Sequence, residues 1–215
     1  AEAVSSTAEG TSKAVRGGGH FNPIANLIAR FFTDAGFPPE SIHASGAGVR
    51  LPGYYRPTKA WDLVVVHDGI LVAAVELKAL GGPSFGNNYN NRVEEALGNA
   101  VDVDRANFTN LIGSEAPWLG YFFLMEDQEG SRRPSGNPPA MSFQQGPEWL
   151  GRSYQSRFEL TGQRLLDQKI YDAVCYVTSS PEDPLPVEPS PRLDWKHFSA
   201  AINARIRYLS DLGLP

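Results

Sequence analysis

A mixed α/β fold, one central β-sheet flanked by helices, is the architecture that this sequence predicts. Three observations predict it. Two apolar runs, Leu63-Val64-Val65-Val66 and Ile70 to Val75, meet at His67-Asp68-Gly69 and read as a hairpin. Their residues are apolar on both faces, which describes a central hairpin covered on both sides. Later strand-length apolar runs alternate with segments of helical periodicity.

The elements follow in order. Residues 1 to 19 are rich in Ala, Ser, Thr and Gly and read as a flexible segment before a single domain over 20–215. Asn22-Pro23 reads as a helix start, with Asn22 capping. Ile24, Leu27, Ile28, Phe31 and Phe32 form its apolar face, and Gly36 closes it. Gly46 to Lys59 is a Gly-, Pro- and Tyr-bearing loop leading into the hairpin. After Lys78 come Gly81-Gly82-Pro83 and an Asn-rich stretch, then a helix to about Phe108 with Val93, Ala96, Leu97, Ala100 and Val101 inward. Trp118 to Met125 is a buried strand, and Gln128 to Gly151 a long polar loop. Arg152 to Lys169 reads as a helix, and Tyr171 to Thr178 as a strand. A proline-rich connector over Pro181 to Pro191 leads to a last helix capped by Asp194.

Composition narrows the class. The 215 residues are 41% hydrophobic and 20% charged, values of a globular domain with a full core. No apolar run approaches a membrane span and no signal-peptide pattern opens the sequence. One cysteine, Cys175, excludes an internal disulfide framework and fits a reducing cytoplasm. His20, His43, His67 and His197 are scattered, without zinc-ligand spacing. A net charge of −5 argues against a nonspecific nucleic-acid coat. It leaves room for a specific nucleic-acid enzyme, because the local field at the contact surface is what counts. Arg50, Arg56 and Lys59 lie in a stretch free of acids, and a second basic stretch holds Arg132, Arg133, Arg152, Arg157, Arg164 and Lys169.

The chemistry sits at the open end of the hairpin: Asp62 on one strand, Glu76-Leu77-Lys78 on the other. Directly paired residues of antiparallel strands share a face. A two-residue Asp68-Gly69 turn in plain register pairs Asp62 with Val75 and sends Glu76 and Lys78 to the opposite face. A three-residue loop, His67-Asp68-Gly69, pairs Asp62 with Ala74 and puts Asp62, Glu76 and Lys78 together. The chemical reading therefore requires an odd-numbered turn or a bulge in a strand. Two carboxylates and an ammonium on one face suit a hard divalent cation and an attacking water. A plain ion pair at fraying strand ends is the alternative.

The Asp62…Glu76-Leu77-Lys78 pattern behind an N-terminal helix resembles the PD-(D/E)xK nuclease superfamily. More narrowly, Arg56-Pro57-Thr58-Lys59-Ala60-Trp61-Asp62, the block from Gly82 to Ala96 and Tyr171-Asp172-Ala173 resemble the XhoI family of type II restriction endonucleases. The likeness runs from about Gly17 to Thr178, and the Asn-rich block is its most specific part. Trp61 stands where the superfamily's name has proline. The first helix offers Asn26, Arg30 and Asp34 rather than the glutamate that gives some members an extra metal contact.

The resemblance implies a restriction-endonuclease-like core and Mg²⁺-dependent hydrolysis of double-stranded DNA, leaving 5′-phosphate and 3′-hydroxyl ends. It implies a palindromic CTCGAG target, hence a two-fold homodimer. By analogy, Asp62, Glu76 and the Leu77 carbonyl hold the metal. Lys78 orients the water or neutralises the scissile phosphate. Asn87, Asn88, Asn90, Asn91 and Arg92 carry groups suited to base readout, or else build an Asn-rich turn. Tyr54, Tyr55, Arg56, Lys59, Arg132, Arg133, Arg152 and Arg157 are candidate phosphate contacts. Asn91 and Glu94 have capping-box spacing, and Glu95 is a candidate outer contact of the metal. Two other readings remain open on these residues: a structure-selective repair or junction nuclease, and a DNA-binding module without catalysis.

Overall fold

The computed structural model describes residues 22–113, 115–136, 141–183 and 185–215. The flexible segment expected over residues 1–19 lies outside them, and so does the Asn22 side chain expected to cap the first helix. That helix, α1 (Asn22–Asp34), ends at Gly36, whose φ of 101° suits glycine.

The strands are β1 (Ile42–His43), β2 (Arg50–Pro52), β3 (Thr58–Ala60), β4 (Leu63–His67), β5 (Ile70–Leu80), β6 (Leu119–Glu126) and β7 (Ala173–Ser179). The further helices are α2 (Phe85–Phe108), α3 (Glu129–Arg132), α4 (Tyr154–Asp167) and α5 (Trp195–Asp211). Five strands form one mixed sheet in the order β1-β4-β5-β6-β7. The β1, β4 and β5 neighbours are antiparallel, whereas β5, β6 and β7 run parallel. One face of the sheet buries Val64, Ala74, Tyr121, Phe123 and Tyr176 against Ala96, Ala100 and Val103 of α2 and Phe158 of α4. The other buries Leu63, Val65, Val75 and Cys175 against Ile28 and Phe32 of α1 and Phe198 and Ile202 of α5. This is the helix-flanked mixed sheet that the apolar pattern predicts. Among the described residues, no helix is long and apolar enough to cross a membrane.

The hairpin meets the register requirement by the second of its two routes. His67 pairs with Ile70 across a two-residue Asp68-Gly69 turn, not a three-residue loop. Both turn residues have positive φ, 49° and 75°, which matches the tight turn favoured by the twist of the strands. Val66 then faces Leu71, but Val65 faces Ala73, so Val72 is one extra residue in β5. Val72 and Ala73 consequently both enter the core on the α1 and α5 side. Beyond the bulge Leu63 faces Val75, and the Asp62 N–H donates to the Val75 carbonyl at 3.2 Å. Asp62 is thereby set opposite Glu76.

Two other expectations are corrected. The stretch from Gly46 to Lys59 is more than a loop, because β2 and β3 form a separate two-stranded ribbon. The Asn-rich block is helical, since α2 starts at Phe85. Asparagine is a poor helix former, but Phe85 and Tyr89, one turn apart, are buried beside the Tyr154 ring. Tertiary packing outweighs the local preference. Asn91 and Glu94 lie inside the helix, so the capping box does not form there. The caps of the later helices are orthodox: Ser153 accepts from the Ser156 N–H and Asp194 from the His197 N–H.

Candidate active site

Asp62, Glu76 and Lys78 converge on the α2 and α4 side of the sheet. The Lys78 ammonium contacts both carboxylates, lying 3.7 Å from Asp62 Oδ2 and pairing with Glu76 Oε1. The Leu77 side chain points to the opposite face and is buried in the other core, while its N–H donates to Asp62 Oδ2 at 2.7 Å. Glu76 is 1% exposed, so its charge depends on partners. Burial pushes the Asp62 carboxyl above its ordinary value. Lys78, the Leu77 N–H and Lys59 oppose that shift, and the Glu76 charge reinforces it.

A fourth head group belongs to this cluster. Lys59 lies on β3 between exposed Thr58 and Ala60, so strand alternation turns it inward. Its Nζ donates to Glu76 at 2.9 Å (Oε2) and 3.2 Å (Oε1), and also to the Ala60 carbonyl. The ammonium sits 5.3 Å from the centroid of the buried Trp61 ring. The sequence reading treats Lys59 only as a phosphate contact. Recognising β2 and β3 as strands would have shown its inward direction.

The floor of the site is aromatic. Tyr121 is the β6 neighbour of Glu76 and is fully buried, and its hydroxyl has no hydrogen-bond partner. Burial raises the phenol far above its usual range, and the Glu76 charge pushes in the same direction. Arg92 and Glu95 of α2 act on the same hydroxyl and pair with each other at 2.7 Å. Arg92 therefore lies near the aromatic floor of the candidate site. On the same helix Asn87, Asn90 and Asn91 are exposed and Asn88 is half-buried.

A buried latch holds the loop between β2 and β3. Asp102 of α2 accepts from the Tyr54 and Tyr55 N–H groups, each at 2.8 Å, and from Arg56 Nε at 2.7 Å. Arg56 Nη2 donates to Asn99 Oδ1 at 2.7 Å. Burial alone pushes the Asp102 carboxyl up, but the bonds from Tyr55, Arg56 and Tyr54 together outweigh it and hold it below its ordinary value. A Cβ on Gly53 would come 2.6 Å from both Asp102 Oδ2 and the Arg56 carbonyl, so only glycine fits there. Arg56 is thus engaged within the chain, while Tyr54 and Tyr55 project outward, 51% and 69% exposed. Their rings meet edge to face at 4.9 Å.

The second basic stretch borders α4. Arg132 and Arg133 are exposed, and Arg132 pairs with Asp127 at 2.9 Å. Arg152 donates to the Glu148 and Ser156 carbonyls. Arg157 donates to Ser135 Oγ and lies over the Tyr154 ring. Arg133 also lines a polar groove of about 630 Å³ with Ser84, Asn87 and Ser135, beside the start of α2.

Comparison with known proteins gives the family. The family model described as "Restriction endonuclease XhoI" matches residues 2–186. The type II restriction enzyme BstVI of Geobacillus stearothermophilus is 38% identical over 180 residues, covering 79% of this chain and 78% of that protein. The type II restriction enzyme XhoI of Xanthomonas vasicola is 39% identical over 159 residues, 73% of this chain and 64% of that protein. The type II restriction enzyme AbrI of Azospirillum brasilense is 47% identical over 115 residues, 52% of each chain. No solved structure matches. The chain belongs to the XhoI family of restriction endonucleases.

Proposed function

We propose that this protein is a type II restriction endonuclease that uses Mg²⁺ to hydrolyse one phosphodiester in each strand of a palindromic duplex site, CTCGAG. The ends would be 5′-phosphate and 3′-hydroxyl, and the palindrome calls for a two-fold homodimer. The observation that carries this reading is the convergence of Asp62, Glu76 and Lys78 on one sheet face in a chain of this family.

The donor set fits the metal. Mg²⁺ takes oxygen ligands and keeps several waters. Asp62 and Glu76, with the Leu77 carbonyl, would hold it. When bound, the metal supplies Lewis-acid stabilisation and eases deprotonation of water. Lys78, already between the two carboxylates, places a positive charge where the attacking water and the scissile phosphate would meet. The Leu77 N–H fixes the Asp62 carboxylate, and the buried Tyr121 and Trp61 rings exclude bulk water beneath the cluster. Exposed Asn87, Asn90 and Asn91 would face the duplex from α2, with Tyr54, Tyr55, Arg132 and Arg133 toward its backbone.

A digest of DNA of known sequence in Mg²⁺ tests this reading. Discrete fragments ending at CTCGAG support it. Smearing, or cutting at junctions alone, would point to the structure-selective nuclease instead.

A further inference from the structure

Glu76 has one carboxylate and two ammonium partners. Lys78 takes Oε1, and Lys59 lies 2.9 Å from Oε2. The four head groups, Asp62, Glu76, Lys59 and Lys78, sum to zero charge. A carboxylate this deeply buried needs a counter-charge to stay ionised, and Lys78 already provides one. A divalent cation taking an oxygen of Glu76 would therefore approach an ammonium at contact distance, with a repulsion that low local dielectric strengthens.

We propose that Lys59 competes with the metal for Glu76: it pairs with Oε2 and must give up that oxygen when the cation binds. It is a positioning residue, keeping the Glu76 carboxylate aimed while holding metal affinity down. Three features support the assignment. Lys59 comes from the separate β2–β3 ribbon, whereas Glu76 is on the central sheet. Its side chain is only 17% exposed, so the pair is not a solvated surface bridge. The ammonium also lies 5.3 Å from the centroid of the Trp61 ring, a cation–π contact that does not itself require Glu76. The consequence is coupling. A released Lys59 supplies positive charge to an arriving phosphate, so DNA and metal bind better together than either does alone.

The inference rests on the reading that Asp62 and Glu76 hold the metal, and one set of titrations separates the two. The full-length chain, without DNA, is titrated calorimetrically with Mn²⁺ as wild type, Lys59→Met, Lys59→Arg and Glu76→Gln. Lys59→Met is expected to bind Mn²⁺ at least about tenfold more tightly than wild type, because it removes a charge at contact distance. Lys59→Arg, which keeps the charge and can fork onto the carboxylate, should bind Mn²⁺ no more tightly than wild type. Glu76→Gln should lose binding. If Glu76→Gln binds like wild type, the metal site and this inference fall together. If it loses binding while Lys59→Met matches or falls below wild type, only the inference falls. Should Lys59→Met not fold, the wild-type chain still decides. The Lys59 Cε resonance should shift with Mg²⁺ occupancy, and a resonance that stays fixed while metal binds overturns the proposal.

Discussion

Asp102 grips Arg56 at 2.7 Å across 46 residues of sequence, and the same carboxylate carries the backbone of the two tyrosines before it. Asp102→Asn removes the charge that offsets the guanidinium and, while its Oδ1 can keep the Tyr54 and Tyr55 N–H groups, turns an amide donor toward Arg56 Nε. The expected cost is about 2–4 kcal/mol in urea unfolding. Because the hydrogen bonds outweigh burial and hold the Asp102 carboxyl below its ordinary 3.8, this stabilisation is present above that pH and is lost as the pH falls through the lowered value.

Lys78→Ala should reduce kcat for DNA cleavage by about a hundredfold or more while changing DNA affinity little. Circular dichroism should show a wild-type spectrum. Unfolding of the variant would make Lys78 a structural ion-pair member instead.

Asp62→Asn should abolish cutting and yet stabilise the chain. The folded state holds the Asp62 proton more tightly than the unfolded state does, so wild-type stability declines as the pH rises from the ordinary carboxyl value of 3.8 upward. The melting midpoint of Asp62→Asn minus that of wild type should therefore widen as the pH rises from the ordinary 3.8 through the raised folded value. Partial exposure of the side chain keeps the gain to about 2 °C. A difference that narrows with rising pH contradicts the assignment.

Tyr55→Ala, at the exposed tip of the latched loop, should weaken duplex binding by about tenfold without changing the melting midpoint, since the ring contributes contact rather than core. Unchanged binding in a gel-shift titration would remove the loop from the DNA surface.

Duplex affinity should fall steeply with salt despite the acidic composition, with a log–log slope of about −0.9 per phosphate contacted. A flat profile would mean that Arg132, Arg133 and the tyrosine loop do not meet the backbone.

Periodicity made the central sheet and its flanking helices legible, because apolar alternation is set by burial on two faces. The parity requirement at Asp62 and Glu76 was legible too, but the device that satisfies it was not: Val72 looks like any other apolar strand residue. The Asn-rich block misled because its helix is imposed by Phe85 and Tyr89 packing on Tyr154, a contact across more than sixty residues. Lys59 was legible as a cation and not as a partner of Glu76, since its direction depends on a short ribbon whose strands are only three residues each. Asp102 gave no signal, because a single acid on a helix reads as solvated until its three donors are seen.

The extra residue at Val72 sets an arithmetic rule for this ribbon. The number of residues separating the first acid from the Glu-x-Lys triplet can grow or shrink only in twos, unless a kink is gained or lost in the same stroke. A lone insertion in this ribbon would swing the second acid and its lysine into the apolar packing on the far side, so the shared face and much of the stability would be lost together.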